Sequence, residues 1–377
     1  MPQSSSAAGI SADLEILPLS RDSHAEWDSF CLNSRDAWFW HTTQWMQYTL
    51  HYRPDLEPRS ESFLCIHQGK IAAICPLMVE KYAPHDDSAK EFSYGGDTVP
   101  APAVSSDLGE KARRAVVQAI FSHIDTLARK HHVSRASFRI SPLVPSFWDS
   151  QYQQANPLSR LGYTDISLAS QVLDLSRDEQ LLLRGMRKGH RADIARAAKL
   201  MKAEVLDAAS ISEESFERYR LLHRKAAGRV TRPLETFQMM YEWIRAGQAI
   251  LAVATIGSSD VGFSLLSVYK DAAYYSSSCE DPEFNHLPIG HLLQWKAIQW
   301  LKRHGIRRYE TGIQPLRNQL HSNASEKELK IAFFKRGFGG DTVPFWRGER
   351  FYDQQYCLRV LESRSRQYVQ SISVEQS

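Results

Sequence analysis

The side chains best able to move a proton in this sequence cluster between residues 274 and 310. Glu280, Asp281 and Glu310 are the carboxylates nearest the ends of the strands predicted for the second half of the chain. Any of them could take a proton from an ammonium, directly or through a water. His286 and His291 could do the same with less adjustment of pKa, because imidazole already titrates near neutrality. Each is equally the kind of residue that caps a turn or sits at a surface. Tyr274 and Tyr275 precede them on a strand, where alternation would send only one ring toward a cleft.

Two further features could hold an anion. Leu287-Pro288-Ile289-Gly290-His291 reads as the start of a helix, whose first N–H groups have no internal partners and carry partial positive charge. A pyrophosphate or carbonyl oxygen could rest there, and Gly290 keeps the approach open. The alternative is an ordinary capped helix. The second feature is the basic stretch Leu181–Lys202, with Arg184, Arg187, Lys188, Arg191, Arg196, Lys199 and Lys202 opposed only by Asp193. On a continuous helix Arg184, Lys188 and Arg191 share a face. That face could bind a diphosphate, an anionic lipid headgroup or tRNA phosphates, or it could simply be solvated.

Some chemistries lack their signatures. There is no GxSxG turn and no evident Ser/His/Asp grouping, so direct transfer is simpler than a covalent intermediate. The five cysteines are far apart, with no CxxC pair and no zinc spacing, which fits free thiols in a reducing compartment and no metal. The net charge of +3 over 377 residues gives no case for DNA binding.

The elements that must position these residues follow from periodicity. Leu14–Leu19 reads as a strand, and helices follow near residues 22–30 and 43–50. A hairpin joins Ser62–Ile66 to Ile71–Val79 through Gln68-Gly69-Lys70. A long helix spans about 108–130, Val133–Ile140 alternates as a strand, and a short helix is expected at 147–152. After strand material at 163–175 come the basic helix and helices at 213–225 and 234–246. A meander follows at 249–256, 261–269 and 272–279. Pro288 opens a long helix that stops at Gly305. A strand at 306–310, a helix at 326–336 and a last strand at 351–360 complete the pattern. The hexapeptide GGDTVP occurs at 95–100 and again at 339–344.

Two α/β domains with mixed sheets are therefore expected, at 13–168 and 169–362, between a disordered tail at 1–12 and a flexible one at 363–377. The start of the chain lacks a basic, apolar leader, and no apolar run approaches membrane-spanning length. A cytoplasmic protein is expected, with peripheral association at an inner membrane face left open.

Four stretches carry a family resemblance. AWFWHTTQWMQYTL (37–50) with IAAICPLMV (71–79), and LLLRGMRKGHRADIARAAK (181–199), are the first two. YYSSSCEDPEFNHLPIGHLLQWKAIQWLKRHGIRRYETG (274–312) and IAFFKRGFGG (331–340) are the others. Together and in this order they resemble the FemAB-like acyltransferases of the GNAT superfamily. The resemblance implies two GNAT-type domains in tandem and transfer of an acyl or aminoacyl group to an amine. It places Lys335 beside the donor, where an ammonium would stabilise the tetrahedral oxyanion, and Phe334 where it could stack on the donor's base. On the residues alone, Lys335 could equally be a surface lysine and Phe334 core packing.

The expectation is an N-acyltransferase with acyl-CoA as donor and an amino sugar or cell-envelope precursor as acceptor. Lys335, Asp281 and Glu310 would be catalytic. Phe334, Tyr275, Gly290, His291, Arg184, Arg187, Lys188 and Arg191 would bind substrate or donor. An aminoacyl-tRNA donor is the alternative. A long helical pair found in some tRNA-using members is not evident in the second half. A third reading is a non-catalytic tandem domain that binds an anionic partner.

Overall fold

Local chemistry sets many of the elements. Thr42 accepts the Trp45 amide on its side chain and starts one helix, and Ser325 with Glu328 closes a capping box on another. Gln68 and Gly69 have φ of 51° and 72°, the left-handed pair a tight hairpin needs. The computed structural model describes residues 14–81, 89–149, 155–317 and 319–374. The tail expected at 1–12 lies outside them.

The chain forms two compact units. The first holds everything up to Leu168 together with Leu316–Ala324 and the stretch from Pro344 onward. The second holds Ala169–Pro315 and Ser325–Val343. The second domain expected at 169–362 is therefore interrupted, because the chain returns to the first unit twice.

The first unit opens with β1 (Leu14–Pro18), α1 (His24–Asn33) and α2 (Thr43–Tyr52). Next come β2 (Arg59–Ser60), β3 (Phe63–His67), β4 (Lys70–Cys75) and β5 (Met78–Lys81). The short strands β6 (Lys90–Phe92), β7 (Val99–Pro100) and β8 (Ala103–Val104) precede α3 (Glu110–His131), β9 (Val133–Ile140) and β10 (Thr164–Asp165). β1, β3, β4 and β8 form one antiparallel sheet. β2, β5, β6 and β9 belong to another, in which β6 and β7 both run parallel to β9. Val116, Ile120, Ile124 and Leu127 recur at helical spacing along α3 and are buried in this unit's core.

The second unit begins at β11 (Leu168–Asp174), followed by α4 (Glu179–Gly185), α5 (Lys188–Leu200) and β12 (Lys202–Leu206). α6 (Glu213–Ala227) and α7 (Leu234–Arg245) lead into the meander β13 (Ala249–Ile256), β14 (Ser259–Tyr269) and β15 (Ala272–Glu280). α8 (Ile289–Arg303), β16 (Arg308–Gln314) and α9 (Glu326–Arg336) follow. The strand order is β12-β13-β14-β15-β16-β11. Every pair is antiparallel except β15 with β16, which α8 joins as a crossover. Ile298 and Leu301 of α8 pack with Leu266 and Tyr309 in the core beneath the sheet. The chain then re-enters the first unit through β17 (Asp341–Phe351), which pairs with β9, and ends in α10 (Gln354–Val374).

Four expected elements differ. The strand expected at 71–79 ends at Cys75 and, after Pro76-Leu77, continues as β5 in the other sheet. The basic helix at 181–202 is broken at Met186-Arg187 into α4 and α5. Of the last strand expected at 351–360 only Phe351 is extended, at the end of β17, and from Gln354 the chain is one helix as far as Val374, through most of the tail expected to be flexible. There Asp353 accepts the Tyr356 amide at 2.9 Å, and Tyr356 and Val360, four residues apart, are fully buried. The helix expected at 147–152 is a single 3-10 turn, Pro145–Trp148, and most of the rest of that range lies outside the described residues.

Candidate active site

The site is a fork in the second unit's sheet. β15 and β16 pair only over Ala272–Tyr274 against Arg308–Glu310. β15 continues to Glu280, held on its other edge by β14, and β16 continues to Gln314, held by β11. Beyond Tyr274 and Glu310 the two strands share no ladder. Their near edges are left with backbone groups that an extended, amide-bearing ligand could pair with as a third strand.

Lys335, in the last turn of α9, reaches the base of this fork. A Cβ at Gly312 would lie 2.6 Å from Lys335 Nζ and 3.8 Å from the Tyr274 hydroxyl. Gly312 has φ of 112°, so both its backbone and its surroundings require glycine. The amine stands 5.8 Å from the centre of the Tyr275 ring. Both tyrosines thus approach the fork, where alternation predicted only one. The β15 ladder slips between Leu265 and Leu266, and Ser276 falls at the irregularity, so strict alternation ends there. Burial pushes the Lys335 ammonium below its ordinary pKa, and the Glu310 carboxylate opposes that shift. Glu310 is itself 1% exposed and accepts the Ser170 hydroxyl at 2.5 Å.

Phe334 is fixed among aromatic rings. Its centroid lies 4.9 Å from His291, 5.1 Å from Phe338 and 5.6 Å from His190. His190 Nε2 is 2.9 Å from the Phe334 carbonyl, and a Cβ at Gly337 would collide with the His190 ring. Burial, helped by the neighbouring His190, drops the His291 pKa to about 4. His291 is therefore neutral at pH 7 and works as packing beneath Phe334. Phe334 also borders a shallow hollow on α9 with Lys327, Lys330 and Ile331, so one edge of the ring faces outward.

The start of α8 is already occupied. Glu280 accepts the Gly290 amide, and a Cβ at Gly290 would lie 2.6 Å from Glu280 Oε1 and 3.3 Å from the Phe334 ring. The partial positive charge expected to hold a donor's pyrophosphate is met by the chain's own carboxylate. Burial raises the Glu280 carboxyl above its ordinary pKa, although the Gly290 amide opposes this.

Residues 183–319 match the acetyltransferase (GNAT) domain family. The second unit is a GNAT acyltransferase domain. Comparison with solved structures extends the likeness over most of the chain at the level of fold. FemX is 13% identical with a TM-score of 0.63, covering 91% of this chain and 99% of its own. L-PGS from Bacillus licheniformis is 14% identical with a TM-score of 0.53, covering 85% and 96%. A tandem GNAT protein from the clavulanic acid biosynthesis pathway is 16% identical with a TM-score of 0.52, covering 90% and 98%. The tandem GNAT architecture expected from the sequence is thus present. No curated protein matches the chain.

Other expected site residues of the GNAT domain are placed differently. Asp281 caps the turn Pro282–Phe284 and accepts Lys225 Nζ at 2.9 Å. Burial would raise its pKa, but the Lys225 ammonium and the Glu283 amide more than offset that, so the carboxyl titrates below its ordinary range. Asp281 is a structural anion rather than a base. Arg191 donates to the carbonyls of Arg184 at 3.1 Å and Met186 at 2.6 Å, satisfying the end of α4. Arg187 stacks 3.5 Å from the centre of the Phe333 ring, and its backbone amide donates to the Gly337 carbonyl at 2.9 Å. These two arginines bind α4 and α5 to the end of α9. Of the four basic residues expected to bind substrate or donor, Arg184 and Lys188 are exposed and Arg187 and Arg191 are partly buried.

Gly312 and Glu280 are the residues that sequence reasoning undervalued. A glycine inside a strand signals a close approach of another group. Asp281-Pro282 is a turn-capping signature that points Asp281 to structure. Among the described residues no group of His, Cys, Asp and Glu could hold a metal ion, and no helix is long and apolar enough to cross a membrane.

Proposed function

We propose that the fork transfers an acyl group directly from a thioester to an amine, with Lys335 stabilising the oxyanion. The observation that carries this reading is the Lys335 amine set against Gly312 where β15 and β16 part. An extended donor arm pairing with the open strand edges would carry its carbonyl toward that amine. A half-buried ammonium then meets the negative charge as it forms on the carbonyl oxygen, in surroundings that screen it less than water does. Glu310 holds Lys335 charged, and Glu280 is the carboxylate whose raised pKa suits it to take the proton from the incoming ammonium. The bond formed is N–C, the bond broken is C–S, and the thiolate leaves with a proton.

Acyl-CoA is the donor on this reading, and an amino sugar or cell-envelope precursor is the acceptor class that the resemblance to FemAB-like enzymes suggests. One observation favours the second reading, an aminoacyl-tRNA donor. Glu280 occupies the helix start where a CoA diphosphate would be expected, and two anions compete for one patch of amides.

A thermal-shift panel with acetyl-CoA, longer acyl-CoAs and bulk aminoacyl-tRNA separates the two. A ligand bound only by the folded state raises its stability by mass action. Stabilisation by an acyl-CoA supports the thioester donor. Stabilisation by aminoacyl-tRNA alone, abolished by ribonuclease, supports the second reading. No response to either rejects both.

A further inference from the structure

The first unit contains a cavity of about 240 Å³ with no part in the chemistry above. α3 supplies Val117, Ile120 and Phe121, the 3-10 turn Pro157–Leu161 supplies Leu158 and Leu161, and Trp40 closes one side. His41, Asp36, Arg113 and Arg139 in its wall are already engaged. His41 Nε2 is 2.9 Å from the Ala101 carbonyl. Asp36 accepts Arg113 Nη2 at 2.5 Å, and Arg139 Nη1 donates to the Thr98 carbonyl at 2.7 Å. Water held inside would find few partners, and an ordered water needs two or more. A cavity of this kind is fitted to hydrocarbon, and it exceeds the engineered apolar site of roughly 150 Å³ that binds benzene.

Charge is distributed unequally at the opening. Three arginines and one aspartate line the cavity, so the lining is net positive. Arg113 is paired with Asp36, and Arg139 lies 3.7 Å from Asp97. Arg160 is exposed and has no ion-pair partner among the described residues. An apolar interior with one uncompensated guanidinium at its rim matches an amphiphile with an anionic head.

We propose that this cavity binds the hydrocarbon chain of an amphiphile whose carboxylate or phosphate headgroup pairs with Arg160. The site belongs to the first unit and does not depend on which donor or acceptor the second unit uses.

Isothermal titration calorimetry of the full chain tests it, with decanoate, decyl phosphate, decanol, decyltrimethylammonium and benzoate below their micellar concentrations. The expected result is one saturable site for decanoate or decyl phosphate, and the tighter of the two identifies the headgroup. Decanol, decyltrimethylammonium and benzoate bind more weakly. Arg160→Glu, on the surface, weakens the anionic ligand about tenfold and leaves decanol unchanged. Val117→Trp fills the cavity and removes binding of every chain. Equal affinity for the anionic, neutral and cationic chains would overturn the headgroup assignment. Benzoate binding as tightly as decanoate would overturn the chain. Absence of binding, or binding indifferent to both variants, would overturn the site.

Discussion

β5 of the first unit and β15 of the second each carry a glutamate near the end, Glu80 and Glu280, with a carboxyl that burial raises above its ordinary pKa, and the surroundings of the two then diverge. In the first unit the chain itself fills the space beyond. Gly95 and Gly96, both left-handed, donate their amides to Glu80 at 2.7 and 2.9 Å, and the Ser93 hydroxyl donates at 2.5 Å. β6 lies between β5 and β9, and β7 extends along the same edge of β9. In the second unit no segment among the described residues intervenes in this way, so β15 and β16 part and Lys335 sits at the base of the gap. On the proposed reading, the fork of the second unit is the reactive cleft because its edge groups are left for a ligand. The first unit spends those groups on its own chain and offers an apolar cavity instead.

Breaking this contrast should cost most at Lys335. Lys335→Ala is expected to lower kcat by about 100-fold or more while changing KM for the donor much less, as steady-state kinetics would show. An unchanged kcat with a raised KM would make Lys335 a binding residue. The next effect is at Gly312. Gly312→Ala forces a methyl against the amine at a strained φ and should lower kcat by about tenfold with the fold retained by circular dichroism.

The matching substitution in the first unit should behave differently. Gly95→Ala places a Cβ 2.8 Å from the Tyr52 ring, again at positive φ. It should cost about 1–2 kcal/mol in denaturant unfolding and leave kcat unchanged. A large kinetic effect there would dissolve the division of labour.

A smaller effect concerns pH. His291 titrates at about 4 in the folded protein and near its ordinary value when unfolded. The unfolded chain therefore binds the extra proton first, and stability falls as pH drops from about 6.5 toward 4. The loss is about 1–2 kcal/mol, because solvent still screens a partly exposed ring. His291→Phe should flatten that part of the stability profile. Lys335 supplies the opposite limb. Its lowered pKa should make activity fall at an alkaline pH below that of an exposed lysine, and Lys335→Arg should move the limb upward.

Much of the fold could be read because it is local. Glu326–Arg336 starts at the cap that Ser325 and Glu328 close, and Ala249–Ile256 is an apolar run that ends at Gly257. The fork was not legible, because it depends on where β15 and β16 cease to pair, and no residue pattern marks that point. The break at Met186-Arg187 was missed for a similar reason. Arg191 reaching back to two carbonyls and Arg187 stacking on Phe333 are contacts across segments, invisible in a run of helix-forming residues. Lys335 and Phe334 came from family resemblance rather than from their own spacing. Gly95-Gly96 and Gly339-Gly340, the repeated hexapeptide, share left-handed φ but stand at different points of the two units, which supports common turn chemistry.

The most direct trial of Lys335 as oxyanion stabiliser is chemical rescue. Lys335→Cys is purified and treated with 2-bromoethylamine, which rebuilds an amine at nearly the same reach, and turnover is compared before and after. The expected result is a variant with little activity that regains much of its kcat on treatment. A Cys variant as fast as the wild-type protein, or a treated one that stays inactive while binding donor normally, would contradict a role for that ammonium in the reaction.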